Sequence, residues 1–166
     1  MPRVSESDTA ATLPRIIGDA IAQAGGWIGF DAFMQLALYT PGLGYYDGPL
    51  RKFGSTPASG SDFVTAPEMT PLFGRVLAAQ VADALTATGT REVWEFGAGS
   101  GALAEQLLGE LGTQIDTYTI VDVSGSLRDR QQARLQAYGD QVRWVSALPE
   151  AMQGVVVGNE VLDAMP

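Results

Sequence analysis

Glu92-Val93-Trp94-Glu95-Phe96-Gly97-Ala98-Gly99-Ser100-Gly101 decides the fold of this chain. A short apolar run (Val93, Trp94, Phe96) breaks into glycines at alternate positions, and the amphipathic stretch 102–111 follows at once. The order strand, tight turn, helix is the one in which a nucleotide-like ligand approaches bare backbone. Glycine suits the turn because a Cβ would hinder both the positive-φ backbone and the ligand. Glu95 at the strand's end would repel a pyrophosphate and favours a cationic or hydroxyl-rich ligand. S-adenosylmethionine, with its ammonium, sulfonium and ribose, has those groups, and Glu95, Gly97, Ala98, Gly99 and Gly101 are its candidate contacts. Gly97-x-Gly99-x-x-Ala102 also satisfies the loose dinucleotide pattern, so a NAD-binding domain stays open at this point, as does a turn that binds nothing.

Downstream, the pattern alternates. Strands are expected near 92–96, 117–122, 141–145 and 154–158, and helices near 101–111 and 125–138. Such alternation makes an α/β, Rossmann-like parallel sheet with right-handed crossovers, strand order 3-2-1-4 and residues 154–158 at one edge. Asp122 closes the second strand, where an acid can take ribose hydroxyls of either candidate ligand. Asn159, Glu160 and Asp163 follow the fourth strand, at the carboxyl edge where such sheets bind ligands. Asn159 is placed against the cofactor. Glu160 and Asp163 stand three apart, so on a helical turn they share one face and could grip a guanidinium. The plainer alternative is a helix cap followed by an acid in the first turn.

Upstream, residues 1–11 read as a disordered arm. Leu13, Ile16, Ile17, Ala20, Ile21 and Ala24 recur at helical spacing, with Thr12 as cap and Gly25-Gly26 as stop. A second helix starts near Asp31 and stops before Pro41. Residues 40–62 read as a loop, and Tyr39 just before it, with Tyr45 and Tyr46 within it, either pack the chain down or wall an acceptor pocket. Residues 62–71 lead into a helix near 71–87. They read either as a lid with Thr65 or Glu68 near the donor's ammonium, or as a proline-defined helix entry with Glu68 complementing the dipole. The expected division is a helical N-terminal cap over 12–90 and the first half of a cofactor-binding α/β domain over 91–166.

Composition narrows the chemistry. The 166 residues suffice for one sizeable core, and 46% apolar with 17% charged residues describes a globular protein. A net charge of −9 argues against nucleic acid as a partner, and no basic cluster longer than Arg51-Lys52 offsets it. The chain has no cysteine and no histidine, which excludes disulfides, thiolate zinc sites, Ser-His-Asp triads and histidine bases. A site of carboxylates alone stays open, but no metal is expected. Methyl transfer from a sulfonium survives this filter, because the leaving group is already activated and positioning carries much of the rate. The polar first residues contain no signal core and no run approaches a membrane span, so a cytoplasmic location without membrane insertion is expected.

Several separated motifs then agree in order: 26–34 (Gly-Trp-Ile-Gly-Phe-Asp-Ala-Phe-Met), 37–46 (Ala-Leu-Tyr-Thr-Pro-Gly-Leu-Gly-Tyr-Tyr), 62–68 (Asp-Phe-Val-Thr-Ala-Pro-Glu) with Leu72-Phe73-Gly74, 95–101, and 159–166 (Asn-Glu-Val-Leu-Asp-Ala-Met-Pro). From about residue 13 onward the chain resembles the MidA-type class I methyltransferases, whose mitochondrial members assist assembly of respiratory complex I. The resemblance implies S-adenosyl-L-methionine as cofactor and a protein substrate, such as arginine in a respiratory-complex subunit. The segment 122–126 departs from the family, which often carries Glu and a proline-containing turn there; the acid is kept. A sheet of only four strands leaves the last one exposed, so the chain reads as a class I methyltransferase truncated after its fourth strand, inactive in isolation and prone to self-association through that edge. A non-catalytic protein-interaction module of the same fold is the alternative of a different class.

Overall fold

Four short β-branched or aromatic runs, the first three separated by helices and the last two by a loop, pair into one parallel sheet. A computed structural model describes residues 6–48 and 64–166. Strands β1 (Glu92–Phe96), β2 (Thr117–Val121), β3 (Val142–Val145) and β4 (Val155–Gly158) lie in the order β3-β2-β1-β4, all parallel, the expected topology. Val93 pairs with Tyr118 and Val155, and Phe96 with Val121 and Gly158, so the strands end level at the carboxyl edge. The α-helices among the described residues are α1 (Glu6–Gln23), α2 (Phe30–Tyr39), α3 (Ala66–Met69), α4 (Pro71–Thr88), α5 (Ala102–Leu111) and α6 (Gly125–Leu135). The start of α4 is set by Pro71 and by Thr70, whose side chain accepts the Leu72 N–H at 3.2 Å. Ser124 caps α6 in the same way.

The chain divides into two compact units, Met1–Leu50 with Leu162–Pro166, and Arg51–Val161. This corrects the boundary expected at residue 90. Helix α4 belongs with the sheet because Gly74, Ala78, Val81 and Leu85 form a buried stripe, the last three in one core with Val93, Leu107, Tyr118 and Ile120. Gly74 lets α5 come close: its N–H donates to Gln106 Oε1 at 2.9 Å, and a Cβ there would stand 2.3 Å from the Gln106 side chain. The last residues belong to the other unit, where Tyr39 OH donates to the Ala164 carbonyl at 2.7 Å.

In that first unit, α1 begins at Glu6, so residues 6–11, expected in a disordered arm, are helical. Pro14 removes one backbone donor, but Ala10-Ala11 upstream have the highest helix propensity and carry the helix through. The expected arm's residues 1–5, and 49–62 of the expected 40–62 loop, lie outside the described residues. The described part of that loop folds back on α2, Tyr45 and Tyr46 donating backbone N–H groups to Ala37 and Leu38. Tyr39 stacks on Tyr46 and Tyr45 meets it edge-on, which favours packing as the work of these rings.

Candidate functional site

Strand order reverses at β1: β2 and β3 extend to one side and β4 to the other. Loops leave such a switch point in opposite directions and open a crevice at the carboxyl ends of the strands. The 97–101 turn borders it. Gly97, Gly99 and Gly101 have φ of 60°, 55° and 82°, a region that side chains disfavour. The turn is closed by Gly101 N–H donating to the Ala98 carbonyl at 2.8 Å, and Gly97 N–H reaches the Val121 carbonyl of β2 at 3.2 Å. Gly97 is exposed, whereas Ala98, Gly99 and Gly101 are buried. A Cβ on Gly97 would stand 2.6 Å from Val161 Cγ2, and one on Gly158 would stand 3.1 Å from Val161 Cγ1. Val161 thus packs over the ends of both β1 and β4, in room that only glycine leaves.

Glu95 does not face this crevice, contrary to the expectation of a direct ligand contact. It alternates with Val93 into the core, is 2% exposed, and accepts the Tyr118 hydroxyl at Oε2, 2.7 Å away. Burial pushes its pKa up to about 7, the Tyr118 hydrogen bond pulls it down, and the nearby Asp122 charge raises it further. Tyr118 is in turn raised well above its ordinary value by burial and by the Glu95 charge.

Asp122 stands where the sequence placed it, immediately beyond β2, and is also buried. Oδ1 accepts the Ser124 N–H at 2.9 Å and Oδ2 accepts the Gln131 amide at 2.8 Å. Burial raises its pKa, while these hydrogen bonds and the Arg128 charge oppose the rise. Each carboxylate oxygen can accept more than one hydrogen bond, so capacity remains for hydroxyls. Sequence reasoning missed Gln131, whose amide also donates to the Gly99 carbonyl at 3.0 Å and whose Oε1 accepts the Trp144 indole N–H at 3.1 Å.

The 64–70 segment is tied to the same turn. Ser100 Oγ donates to Glu68 Oε1, and Arg134 Nη1 reaches Ser100 Oγ at 2.6 Å and Glu68 at 3.2 Å. Gln106 donates to the Pro67 carbonyl at 2.7 Å. Glu68 therefore sits against the glycine turn, paired to Arg134, an arrangement neither sequence reading of it contained.

The residues after β4 depart from expectation in shape. Gly158 lies opposite Phe96, so Asn159 leaves the sheet level with Gly97, and its side chain donates to Glu160 Oε1 at 3.3 Å. Glu160 is exposed with φ 52°, which interrupts any right-handed helix, and the only helical residues beyond it are the 3-10 turn Leu162–Ala164. The expected helical face shared by Glu160 and Asp163 does not form. Asp163 belongs to the first unit, where its charge adds to burial in raising the Tyr46 pKa. Among the described residues no group of three or more acidic side chains is placed to hold a metal ion, and no helix is long and apolar enough to cross a membrane.

Comparison with known proteins agrees with the fold. Residues 76–166 match the family described as "Putative S-adenosyl-L-methionine-dependent methyltransferase", Methyltransf_28. A COG1565 superfamily member from Burkholderia thailandensis, crystallised with S-adenosyl-homocysteine, is 51% identical with a TM-score of 0.88, over 100% of this chain and 45% of that one. A native COG1565 structure from the same organism is 48% identical with a TM-score of 0.77, over 100% and 44%. The mitochondrial "Protein arginine methyltransferase NDUFAF7 homolog" of Caenorhabditis elegans is 27% identical over 99% of this chain and 44% of its own length. The chain therefore spans less than half the length of these relatives.

Proposed function

This chain belongs to the Methyltransf_28 family of S-adenosyl-L-methionine-dependent methyltransferases, and from that premise we propose that it binds S-adenosyl-L-methionine beside the 97–101 turn and serves methyl transfer to a protein side chain such as arginine. The observation that carries the reading is the set of positive-φ glycines at the switch point, with Asp122 at the end of the adjoining strand. The residues fit the cofactor: Gly97 presents exposed backbone, and Asp122 keeps acceptor capacity for ribose hydroxyls. When bound, the cofactor supplies a methyl group already activated on a sulfonium. Gly97, Ala98, Gly99 and Gly101 shape the surface it lies on, Asp122 orients the ribose, and Asn159 borders the same edge. Glu95 acts from beneath, holding Tyr118 and the end of β1 in place. Glu160, exposed after β4, is the carboxylate retained for orienting a guanidinium.

Arginine as acceptor is supported by the worm relative's name at 27% identity, and a respiratory-complex subunit as substrate by the motif resemblance. Titration calorimetry with S-adenosylhomocysteine tests the donor site: saturable heat at one site is expected. No saturable heat, or binding of NAD in its place, would overturn the reading in favour of an interaction module or a dinucleotide domain.

A further inference from the structure

Gln131 is 0% exposed, on the α6 face that also carries buried Leu127 and Leu135 one turn to either side. A polar side chain persists at the centre of an apolar stripe when all its hydrogen-bonding atoms are matched. Here the matching also fixes the amide's orientation. The Trp144 indole N–H can only donate, so it must face Oε1. The Gly99 carbonyl, and Asp122 Oδ2 when ionised, can only accept, so they face the NH2 group. The opposite rotamer would set three like groups against one another.

We propose that Gln131 is a positioning residue for the donor site, bracing the Gly99 carbonyl of the glycine turn and the Asp122 carboxylate with one amide, while Trp144 fixes which way that amide faces. The proposal rests on the donor site assigned above and deepens it. The turn and the acid hang from different strands, β1 and β2, and would grip different parts of one ligand. A single planar group joined to both holds their spacing. Because the amide donates to Oδ2, a proton on that oxygen is disfavoured and Asp122 is kept as an acceptor. The indole polarises the amide in the sense that strengthens both of its donated bonds.

The test compares Gln131→Met, which keeps an unbranched chain and removes all three hydrogen bonds, with Trp144→Phe, which removes only the orienting donor. S-adenosylhomocysteine and its 2′,3′-dideoxy form are titrated into each protein between pH 5 and 8. Arg128 on α6, whose charge acts on Asp122, and Glu95 on β1, which the Asp122 charge raises, stay in place in both variants. Gln131→Met is expected to weaken S-adenosylhomocysteine about tenfold, the order of one charge-assisted hydrogen bond, and the dideoxy form less. The acid-side loss of binding should move to higher pH, because Asp122 loses a donor that favours its charged form. Trp144→Phe should shift both readouts the same way by a smaller factor. A folded Gln131→Met protein with the parent's affinity and pH profile, or with equal losses for both ligands and an unmoved acid limb, would overturn the proposal. If Gln131→Met does not fold, the same outcomes in Trp144→Phe decide. A parent protein that binds neither ligand would instead overturn the donor site itself.

Discussion

Replacing Glu95 by Gln should flatten the dependence of stability on pH. The group is 2% exposed, and its pKa in the folded protein is pushed from 4.5 up to about 7. A carboxyl raised in this way binds its proton more tightly folded than unfolded, so it favours the native state at low pH. That advantage is fully present below 4.5 and is lost as pH rises through about 7. At about 1.4 kcal/mol for each pH unit, the loss is on the order of 3 kcal/mol. Glutamine keeps the shape and an acceptor for the Tyr118 hydroxyl but cannot ionise. The parent should therefore lose about 3 kcal/mol more stability than Glu95→Gln between pH 4.5 and 8. Urea unfolding measures this, with Trp27→Phe in both proteins so that fluorescence reports only Trp94 and Trp144, which lie in the sheet's unit. Asp122, also raised by burial, adds a slope of the same sign in both proteins and largely cancels. Parallel stability curves for the two proteins would refute the argument, since they would mean that Glu95 ionises in the folded protein as readily as in the unfolded chain.

Gly97→Ala places a Cβ 2.6 Å from Val161 at φ 60° and should cost about 1–2 kcal/mol in backbone strain plus the clash; adding Val161→Ala should restore only the clash part, as read from thermal midpoints. Asp122→Ala should weaken S-adenosylhomocysteine by about 1.5–3 kcal/mol, and the dideoxy form clearly less; equal losses in calorimetry would assign Asp122 to folding alone. Among the described residues no strand pairs with the outer edge of β4, and Val156 is 55% exposed, so sedimentation should show self-association that Val156→Lys reduces; a monomer at all concentrations would count against pairing through this edge.

The βα alternation was legible because it depends on local pattern. Each strand is a short apolar run bounded by turn residues, and the glycine turn needs no distant partner to be recognised. The strand order followed from the crossover rule, but the side-chain partners that pairing and packing create escaped the sequence. Glu95 reads as a terminal acid until β1–β2 register places Tyr118 opposite Val93, on the face to which Glu95 turns. Helix α4 reads as part of a separate cap until Gly74 shows how closely α5 lies against it. The left-handed Glu160 is a conformation that no local signal marks. Gln131 did carry a signal. It stands four residues from both Leu127 and Leu135, where the helical period calls for an apolar side chain, and a glutamine there points to buried partners.

In the proposed donor site positioning carries much of the chemistry, and the glycine turn is held from three directions. Gly97 N–H ties it to β2, Gln131 ties it to α6, and Ser100 ties it to Glu68 of α3. The third tether is the most sensitive to perturbation. Glu68 has a side chain only 11% exposed and shares Arg134 with Ser100, while Arg134 also meets Glu105 at 3.3 Å. Removing Arg134 would leave a nearly buried carboxylate with the serine hydroxyl in place of a cation. Breaking such a pair costs more than the pair contributes, because the desolvated charge remains. The structure that relieves it most easily is one in which Glu68 swings to solvent and α3 leaves the turn. Arg134 thereby couples the position of α3 to the shape of the glycine turn, although it touches neither Asp122 nor Gly99 among the bonds that define the site.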